Sequence, residues 1–157
     1  MALRKGDTNM LTQEVVILIA EDDDGHASLI TKNLKRSGIC NEIMCFKDGQ
    51  EILDFLFLKG NGPHRSPEGS YILLLDIRMP LVDGVQVLRQ IKEDKELSKI
   101  PVTMITTTDD PREVEECFRL GCNNYIAKPV DYNKFVEVIK QLGLFLMVVE
   151  VPAIKVA

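Results

Sequence analysis

The feature that most constrains the fold of this chain is an alternation of short β-rich runs with stretches of helical periodicity. The first run, VVILIA at residues 15–20, is apolar throughout, as is typical of a strand covered on both faces. Further strands are predicted at 42–46, 71–75, 101–105 and 124–127. Helices are predicted at 25–37, after Asp48, at 84–94, from Pro111 to Gly121 and from Asp131 to Leu142. This strict alternation predicts one α/β domain with a doubly wound parallel sheet.

Local residue choices indicate where these elements end. Asp48 and Glu51 form a D-x-x-E capping box, and Gly38 is expected to close the helix before them. Pro111 suits the first turn of a helix, because it has no N–H to leave unbonded there. The stretch GNGPHRSPEGS at 60–70 is rich in glycine and proline, so we predict a long loop.

Composition excludes several classes of function. The net charge of −5 disfavours nucleic acid as a partner, since binding it requires a basic surface. The four cysteines include no C-x-x-C pair, and their spacing fits no zinc ribbon, so we expect reduced thiols. No targeting segment is visible, and the apolar run at 144–149 is too short to cross a bilayer. We therefore expect a cytoplasmic protein that binds neither nucleic acid nor membrane.

Polar residues occur where the predicted strands end. Glu21 and Asp22 follow the first strand, Asp76 the third, Thr106 the fourth and Lys128 the fifth. Carboxyl ends of parallel strands meet at one edge of a sheet, so these side chains are expected to share one crevice. Each residue alone has an ordinary explanation as a cap, a turn residue or a strand former, but their joint placement indicates a site. Clustered carboxylates repel one another, and oxygen ligands of this kind suit Mg²⁺ together with a phosphate group.

Four segments carry a resemblance to a known family: AEDD at 20–23, LLLDIRMPLVDG at 73–84, PVTMITTT at 101–108 and YIAKPVD at 125–131. Together they resemble the receiver domain of bacterial two-component response regulators, over residues 14–142. The resemblance implies a flavodoxin-like (βα)5 fold, whose five parallel strands follow the order 2-1-3-4-5. Residues 1–13 would then be a flexible N-terminal segment, and residues 143–157 an apolar C-terminal extension.

The resemblance implies roles for the residues at the crevice. Asp76 would be the phosphoacceptor, taking its phosphoryl group from the phosphohistidine of a sensor histidine kinase. Asp22, Glu21 and the backbone carbonyl of Arg78 would hold Mg²⁺ together with Asp76, and Mn²⁺ or Ca²⁺ could replace that ion. The chain would thus be a phosphoacceptor signalling protein rather than an enzyme.

Other residues are expected to bind or sense the phosphoryl group. Lys128 and the hydroxyl of Thr106 would contact the phosphoryl oxygens, and a cis peptide before Pro129 would aim Lys128 inward. Thr106 and Tyr125 resemble the family's switch pair, in which Thr106 moves toward the phosphoryl group and Tyr125 turns into the vacated space. The fifteen residues after Leu142 are too few for a helix-turn-helix module. We therefore expect output through a downstream protein target or a phosphotransfer protein.

Several residues depart from the family's pattern or lie outside it. Arg78 is a large cation two positions after Asp76, so we predict that it changes the lifetime of the phosphorylated state. His26, beside the acids, is expected to be a half-exposed helix residue rather than a metal ligand, and His64 is expected on the face away from the chemistry. The apolar tail would either pack on its own last helix or cross to a second copy in a homodimer. The long loop, the segment TTTDDPREVE at 106–115 and LGLFL at 142–146 together resemble stand-alone receivers that partner phytochrome-type kinases.

Three other functions remain open at this point. A phosphohydrolase with an aspartyl nucleophile would also use a strand-end aspartate and Mg²⁺, but that class carries D-x-D and position 78 is arginine. A receiver that serves only as a scaffold would need no phosphorylation, although every expected site position is filled here. A flavin- or dinucleotide-binding module would require a glycine-rich loop after the first strand, where this chain has acids.

Overall fold

The computed structural model describes residues 14–156, and within that range all the predicted strands and helices form. The strands are β1 (Val15–Ala20), β2 (Ile43–Phe46), β3 (Gly69–Leu75), β4 (Val102–Thr106) and β5 (Asn124–Ala127). The helices are α1 (Asp24–Arg36), α2 (Gly49–Phe57), α3 (Gly84–Glu93), α4 (Pro111–Leu120) and α5 (Tyr132–Leu146). A 3₁₀ turn at Leu97–Lys99 and a two-residue strand β6 (Ala153–Ile154) were not predicted. The segment 1–13 lies outside the described residues.

The sheet has the predicted order, β2-β1-β3-β4-β5, and the flavodoxin-like architecture is confirmed. Each neighbouring pair along this order is parallel. β6 adds an antiparallel pair at the start of β3, where Gly69 is opposite Ile154 and Ser70 is opposite Ala153. The five parallel strands therefore present their carboxyl ends at one edge of the sheet, as the sequence predicted.

Side chains that alternate along β1 divide the apolar core into two layers. Ile17 and Ile19 pack on one face of the sheet, with residues of α1 and α5. Leu18 and Ala20 pack on the other face, with residues of α2 and α3. All four are buried, as the unbroken apolar run predicted for a strand with helices on both sides. This double burial fixes the position of the residues that follow β1.

Each of the five helices follows an aspartate whose side chain accepts a hydrogen bond from a backbone N–H of the first turn. These N-caps are Asp23, Asp48, Asp83, Asp110 and Asp131. The predicted box at Asp48 forms in part: Asp48 accepts from the Glu51 N–H at 2.8 Å, while Glu51 accepts from the Lys47 N–H at 3.0 Å. The complete reciprocal box is found between Asp83 and Gln86.

The last helix is longer than predicted. α5 continues to Leu146, four residues past the expected end, because Phe135, Ile139, Leu142 and Leu146 keep the spacing of one buried face. None of the described helices combines the length and the apolar composition that a membrane span requires.

The C-terminal tail returns to its own sheet. Ile154 in β6 is fully buried against the start of β3, so this part of the tail packs within the chain. Leu144, Phe145 and Val148 remain exposed, and the homodimer that the apolar tail suggested stays a prediction.

Hydrogen bonds to Lys155 hold the C-terminal tail at the amino-terminal ends of the strands. The buried Arg65 donates to the carbonyl of Leu56 at 2.8 Å and to that of Lys155 at 3.3 Å. The N–H of Lys155 donates to Glu96 at 3.0 Å. This end of the sheet is opposite the edge where the polar strand-end residues converge.

Candidate functional site

The strand registers bring the predicted site residues together. Ala20 is opposite Leu75 in the β1–β3 pair, so Glu21 and Asp76 follow adjacent strand ends. The Asp76 N–H donates to the Ala20 carbonyl at 3.0 Å, which extends that pairing into the site. On the other side, the Lys128 N–H donates to the Thr106 carbonyl at 2.7 Å. Backbone pairing alone therefore places two carboxylates, a hydroxyl and an ammonium around one crevice.

Lys128 is the centre of the hydrogen-bond network in this crevice. Its Nζ lies 2.5 Å from Glu21 Oε1, 2.9 Å from His26 Nδ1 and 3.3 Å from Asp76 Oδ2. An ammonium has three N–H donors, so these three acceptors can use all of them. The side chain is 2% exposed, which leaves the charge to be stabilised by its partners rather than by water.

His26 is the member of this network that the sequence did not predict. Its ring is half-buried, as expected, but it contacts Lys128 and packs edge-on against Phe135 at a centroid distance of 5.7 Å. The ring adds no negative charge when neutral, so it can hold the lysine without increasing the repulsion between carboxylates. The only feature of the sequence that pointed to this contact was the position of His26 in the first turn of α1, beside the acids.

Three carboxylates form a group that could hold a divalent cation. Glu21, Asp22 and Asp76 each offer an oxygen, and these oxygens lie within 4.8 Å of one another. Glu21 and Asp76 are buried while Asp22 is exposed, so an ion here could keep water ligands on the open side. Carboxylate oxygens and retained waters are the ligands that Mg²⁺ prefers, and the donor set therefore fits this ion.

The raised pKa of Glu21 indicates that the crevice holds too little positive charge to balance its buried carboxylates. Burial raises this pKa to about 7, the hydrogen bond from Lys128 opposes the rise, and repulsion by Asp76 adds to it. One lysine therefore does not compensate fully for two buried carboxylates. A divalent cation would favour the ionised form of Glu21 and relieve this cost.

We expect the metal-free protein to lose stability as the pH rises from about 4.5 to about 7. The pKa of Glu21 is higher in the folded chain than its ordinary value of 4.5, so the folded state binds the extra proton throughout this window. The full effect corresponds to about 3 kcal/mol. Urea unfolding in a chelator at pH 5 and pH 8 measures it, and Glu21→Gln should remove this component of the pH dependence. The exposed Glu42→Gln is the control. If Glu21→Gln lost as much unfolding free energy between pH 5 and pH 8 as this control and the parent do, the assignment would be contradicted.

Asp76 is held from two sides. Its Oδ1 accepts a hydrogen bond of 2.7 Å from the N–H of Ile77, while Oδ2 faces Lys128. The start of α3 comes so close that a Cβ on Gly84 would lie 2.0 Å from the Asp76 carbonyl oxygen. The glycine in LLLDIRMPLVDG is therefore required by close packing against the backbone of Asp76.

The two predicted switch residues occupy different environments. Thr106 is fully buried, and its hydroxyl has no hydrogen-bond partner among the described residues. Tyr125 is half-buried, and its hydroxyl donates to the carbonyl of Thr108 at 2.8 Å. Burial raises the pKa of Tyr125 to about 12, so the phenol stays neutral and keeps its proton for that bond. A buried hydroxyl without a partner is costly, so Thr106 would gain from an added acceptor in the crevice.

The peptide bond before Pro129 and the side chain of Arg78 both bear on the predicted site. The peptide bond between Lys128 and Pro129 is trans, so the expected cis bond is wrong. Pairing of β5 with β4 already directs Lys128 into the crevice, and trans is the preferred form by about 0.5–1 kcal/mol. The side chain of Arg78 is directed at Glu113 on α4, through two contacts of 3.1 Å.

Comparison with known proteins agrees with this geometry. A family model for the "Response regulator receiver domain" matches residues 17–140. The solved receiver domain from Rhodospirillum rubrum is 40% identical, with a TM-score of 0.82, and the match covers 90% of this chain and 99% of that one. The expected resemblance is therefore confirmed by both sequence and structure.

Two further relatives are response regulators of cyanobacteria. Response regulator Rcp1 of Synechocystis sp. is 30% identical, over 88% of this chain and 93% of its own. Its Mn²⁺-bound crystal structure has a TM-score of 0.78, over 87% of this chain and 98% of that one. The phosphorylated cyanobacterial phytochrome response regulator RcpA is 26% identical, with a TM-score of 0.77, over 89% of this chain and 99% of that one. The predicted likeness to phytochrome-associated regulators is confirmed.

Proposed function

The chain belongs to the response regulator receiver domain family, and from this membership we propose that Asp76 accepts a phosphoryl group from a partner histidine kinase. The observation that supports this most directly is the position of the Lys128 ammonium, 3.3 Å from Asp76 Oδ2 at the crevice where three carboxylates meet. Phosphoryl transfer depends mainly on positioning and charge neutralisation, and this arrangement supplies both.

The transfer itself requires few groups from this chain. An oxygen of Asp76 forms a P–O bond as the P–N bond of the kinase phosphohistidine breaks. The leaving imidazole nitrogen keeps the bonding electron pair and takes up a proton. Lys128 neutralises charge on the phosphoryl oxygens, and the free hydroxyl of Thr106 donates to one of them.

A divalent ion would be held by the acidic group described above. We propose that Asp22 and Asp76 are direct ligands, with Glu21 as a further ligand and the backbone carbonyl of Arg78 completing the protein's share. Bound Mg²⁺ would neutralise charge that develops on the phosphoryl oxygens. The Rcp1 structure contains Mn²⁺, which supports a divalent ion in this chain too, and Ca²⁺ is a third candidate.

The signal would leave the site through Thr106 and Tyr125. We propose that Thr106 moves to the phosphoryl group and takes Thr108 with it, because only one residue separates the two. The hydrogen bond from Tyr125 to the Thr108 carbonyl would then change, and with it the surface around β5. A downstream protein or a phosphotransfer protein would read that surface. A homodimer and a cytoplasmic location remain parts of this proposal.

We propose a sensor histidine kinase as the upstream partner, and the likeness to RcpA favours one of phytochrome type. The kinase must bring its phosphohistidine to the same edge of the sheet where Asp76 lies. A net charge of −5 and an acidic crevice make nucleic acid an unfavourable partner for this surface.

The proposal is tested by incubating the protein with a small acyl phosphate and Mg²⁺ and recording its intact mass. We expect one covalent phosphoryl group per chain, labile to hydroxylamine as an acyl phosphate is, and a chelator should suppress its formation. No adduct under any of these conditions would favour the phosphorylation-independent scaffold. Sustained turnover of a generic phosphatase substrate would favour the phosphohydrolase instead.

A further inference from the structure

A charged cluster joins the loop after β3 to the start of α4. Arg78 Nη1 lies 3.1 Å from Glu113 Oε2, and Arg78 Nη2 donates to Glu113 Oε1 at 3.1 Å. A guanidinium that meets both oxygens of a carboxylate is held in one orientation. Arg78 is 61% exposed, so this pair is screened by water and is readily exchanged for a stronger partner.

The same carboxylate binds the loop after β4. Thr108 Oγ1 donates to Glu113 Oε1 at 2.7 Å, and the Thr108 carbonyl accepts from Tyr125 at 2.8 Å. Glu113 therefore connects the loop of Arg78, the loop of Thr108 and helix α4. Both loops belong to the proposed site, since Arg78 is two residues after Asp76 and Thr108 is two residues after Thr106.

A phosphoryl group on Asp76 would place a second anion within reach of this arginine. An aspartyl phosphate carries about −1.5 to −2 charge if phosphoserine is a guide, more than the single charge of a carboxylate. Its oxygens also accept two parallel N–H bonds from a guanidinium. Because Arg78 is two residues after Asp76, the phosphoryl group would offer its guanidinium a second anionic partner that is absent before phosphorylation.

We infer that Glu113 competes with the phosphoryl group on Asp76 for the guanidinium of Arg78. Before phosphorylation, Glu113 binds Arg78 and Thr108 and holds α4 to both loops. After phosphorylation, Arg78 moves to the phosphoryl oxygens and Glu113 loses two of its three side-chain contacts. This inference rests on the proposed function and adds a route by which the phosphorylated state reaches α4.

The experiment compares the lifetime of the phosphoryl group in Glu113→Gln, Arg78→Ala and the double variant, after removal of a small acyl phosphate. Glu113→Gln keeps the shape of the side chain and removes its charge, so Arg78 is free for the phosphoryl group. We expect the lifetime to rise about two- to fivefold, the range of an exposed ion pair. Glu116→Gln is the matched control, because Glu116 lies on the same helix and pairs with Arg89 and Arg119 instead.

The double variant separates competition for Arg78 from other effects of the substitution. If Glu113 acts through Arg78, the double variant should have the same lifetime as Arg78→Ala alone. The inference would be overturned if the phosphoryl group had the same lifetime in Glu113→Gln, Glu116→Gln and the parent. It would also be overturned if Glu113→Gln lengthened the lifetime as much in the Arg78→Ala background as in the parent. A parent protein that takes up no phosphoryl group would overturn the proposed function, a result that is distinguishable from these two.

Discussion

Asp76→Asn is expected to abolish uptake of the phosphoryl group from a small acyl phosphate in the presence of Mg²⁺. The amide has no anionic oxygen to attack phosphorus, and an amide nitrogen cannot replace it as a nucleophile. The variant should fold, because an amide oxygen can still accept from the Ile77 N–H that now binds Oδ1 at 2.7 Å. It should also relieve the repulsion between Asp76 and Glu21 and so lower the pKa of Glu21.

Intact mass distinguishes Asp76 from the other acids near the crevice. Asp109→Asn is the control, because Asp109 is an exposed acid in the loop after β4 and should leave phosphorylation unchanged. Asp22→Asn should keep the acceptor but require more Mg²⁺, since it removes one of the three carboxylates of the metal group. A phosphoryl group that persists in Asp76→Asn at the parental level would contradict the assignment of the acceptor.

Lys128→Met is expected to destabilise the metal-free protein by about 3–5 kcal/mol at pH 8, the cost of removing one partner from a buried ion pair. Glu21 and Asp76 would then face each other without the ammonium that lies between them. Added Mg²⁺ should restore part of the loss, and so should a lower pH, since loss of Lys128 raises the pKa of Glu21 further and a protonated Glu21 is neutral. The same substitution should slow phosphorylation about 100-fold, as loss of one charge-stabilising donor does in enzyme active sites.

Lys47→Met provides the matched control for this substitution. Lys47 pairs with Asp24 at 3.8 Å, and both side chains are largely exposed, so the change should cost less than about 1 kcal/mol. Urea unfolding measures both variants, and the rate of phosphorylation is compared at a Mg²⁺ concentration where Lys128→Met is folded. Equal stability of the two variants without metal would show that the ammonium of Lys128 does not balance the buried carboxylates.

The sequence predicted the sheet and its site edge because both depend on short-range patterns. An apolar run such as 15–20 specifies a strand covered on both faces, and an acid directly after it must lie at the carboxyl end. Strand pairing then brings the four strand-end residues together, whatever their separation in sequence. They are Glu21, Asp76, Thr106 and Lys128. No side-chain rotamer has to be known for this result.

The features that the sequence did not predict depend on side-chain directions and on long-range packing. His26 and Lys128 are 102 residues apart, and their contact follows from the rotation of α1 about its axis. Arg78 and Glu113 are 35 residues apart, one in the loop after β3 and the other in the first turn of α4, and no sequence periodicity reports how that loop is directed. The cis peptide before Pro129 was inferred from family resemblance alone, and the register of β5 makes it unnecessary.

The short strand β6 covers backbone groups at the start of β3. β4 first pairs with β3 at Leu73, so the backbone groups of Gly69 and Ser70 on that side would be open without β6. Open backbone groups of this kind can recruit a strand from another molecule and start aggregation. Because β6 occupies this place, a chain shortened by its last few residues should be more prone to self-association even though its phosphoacceptor edge is untouched.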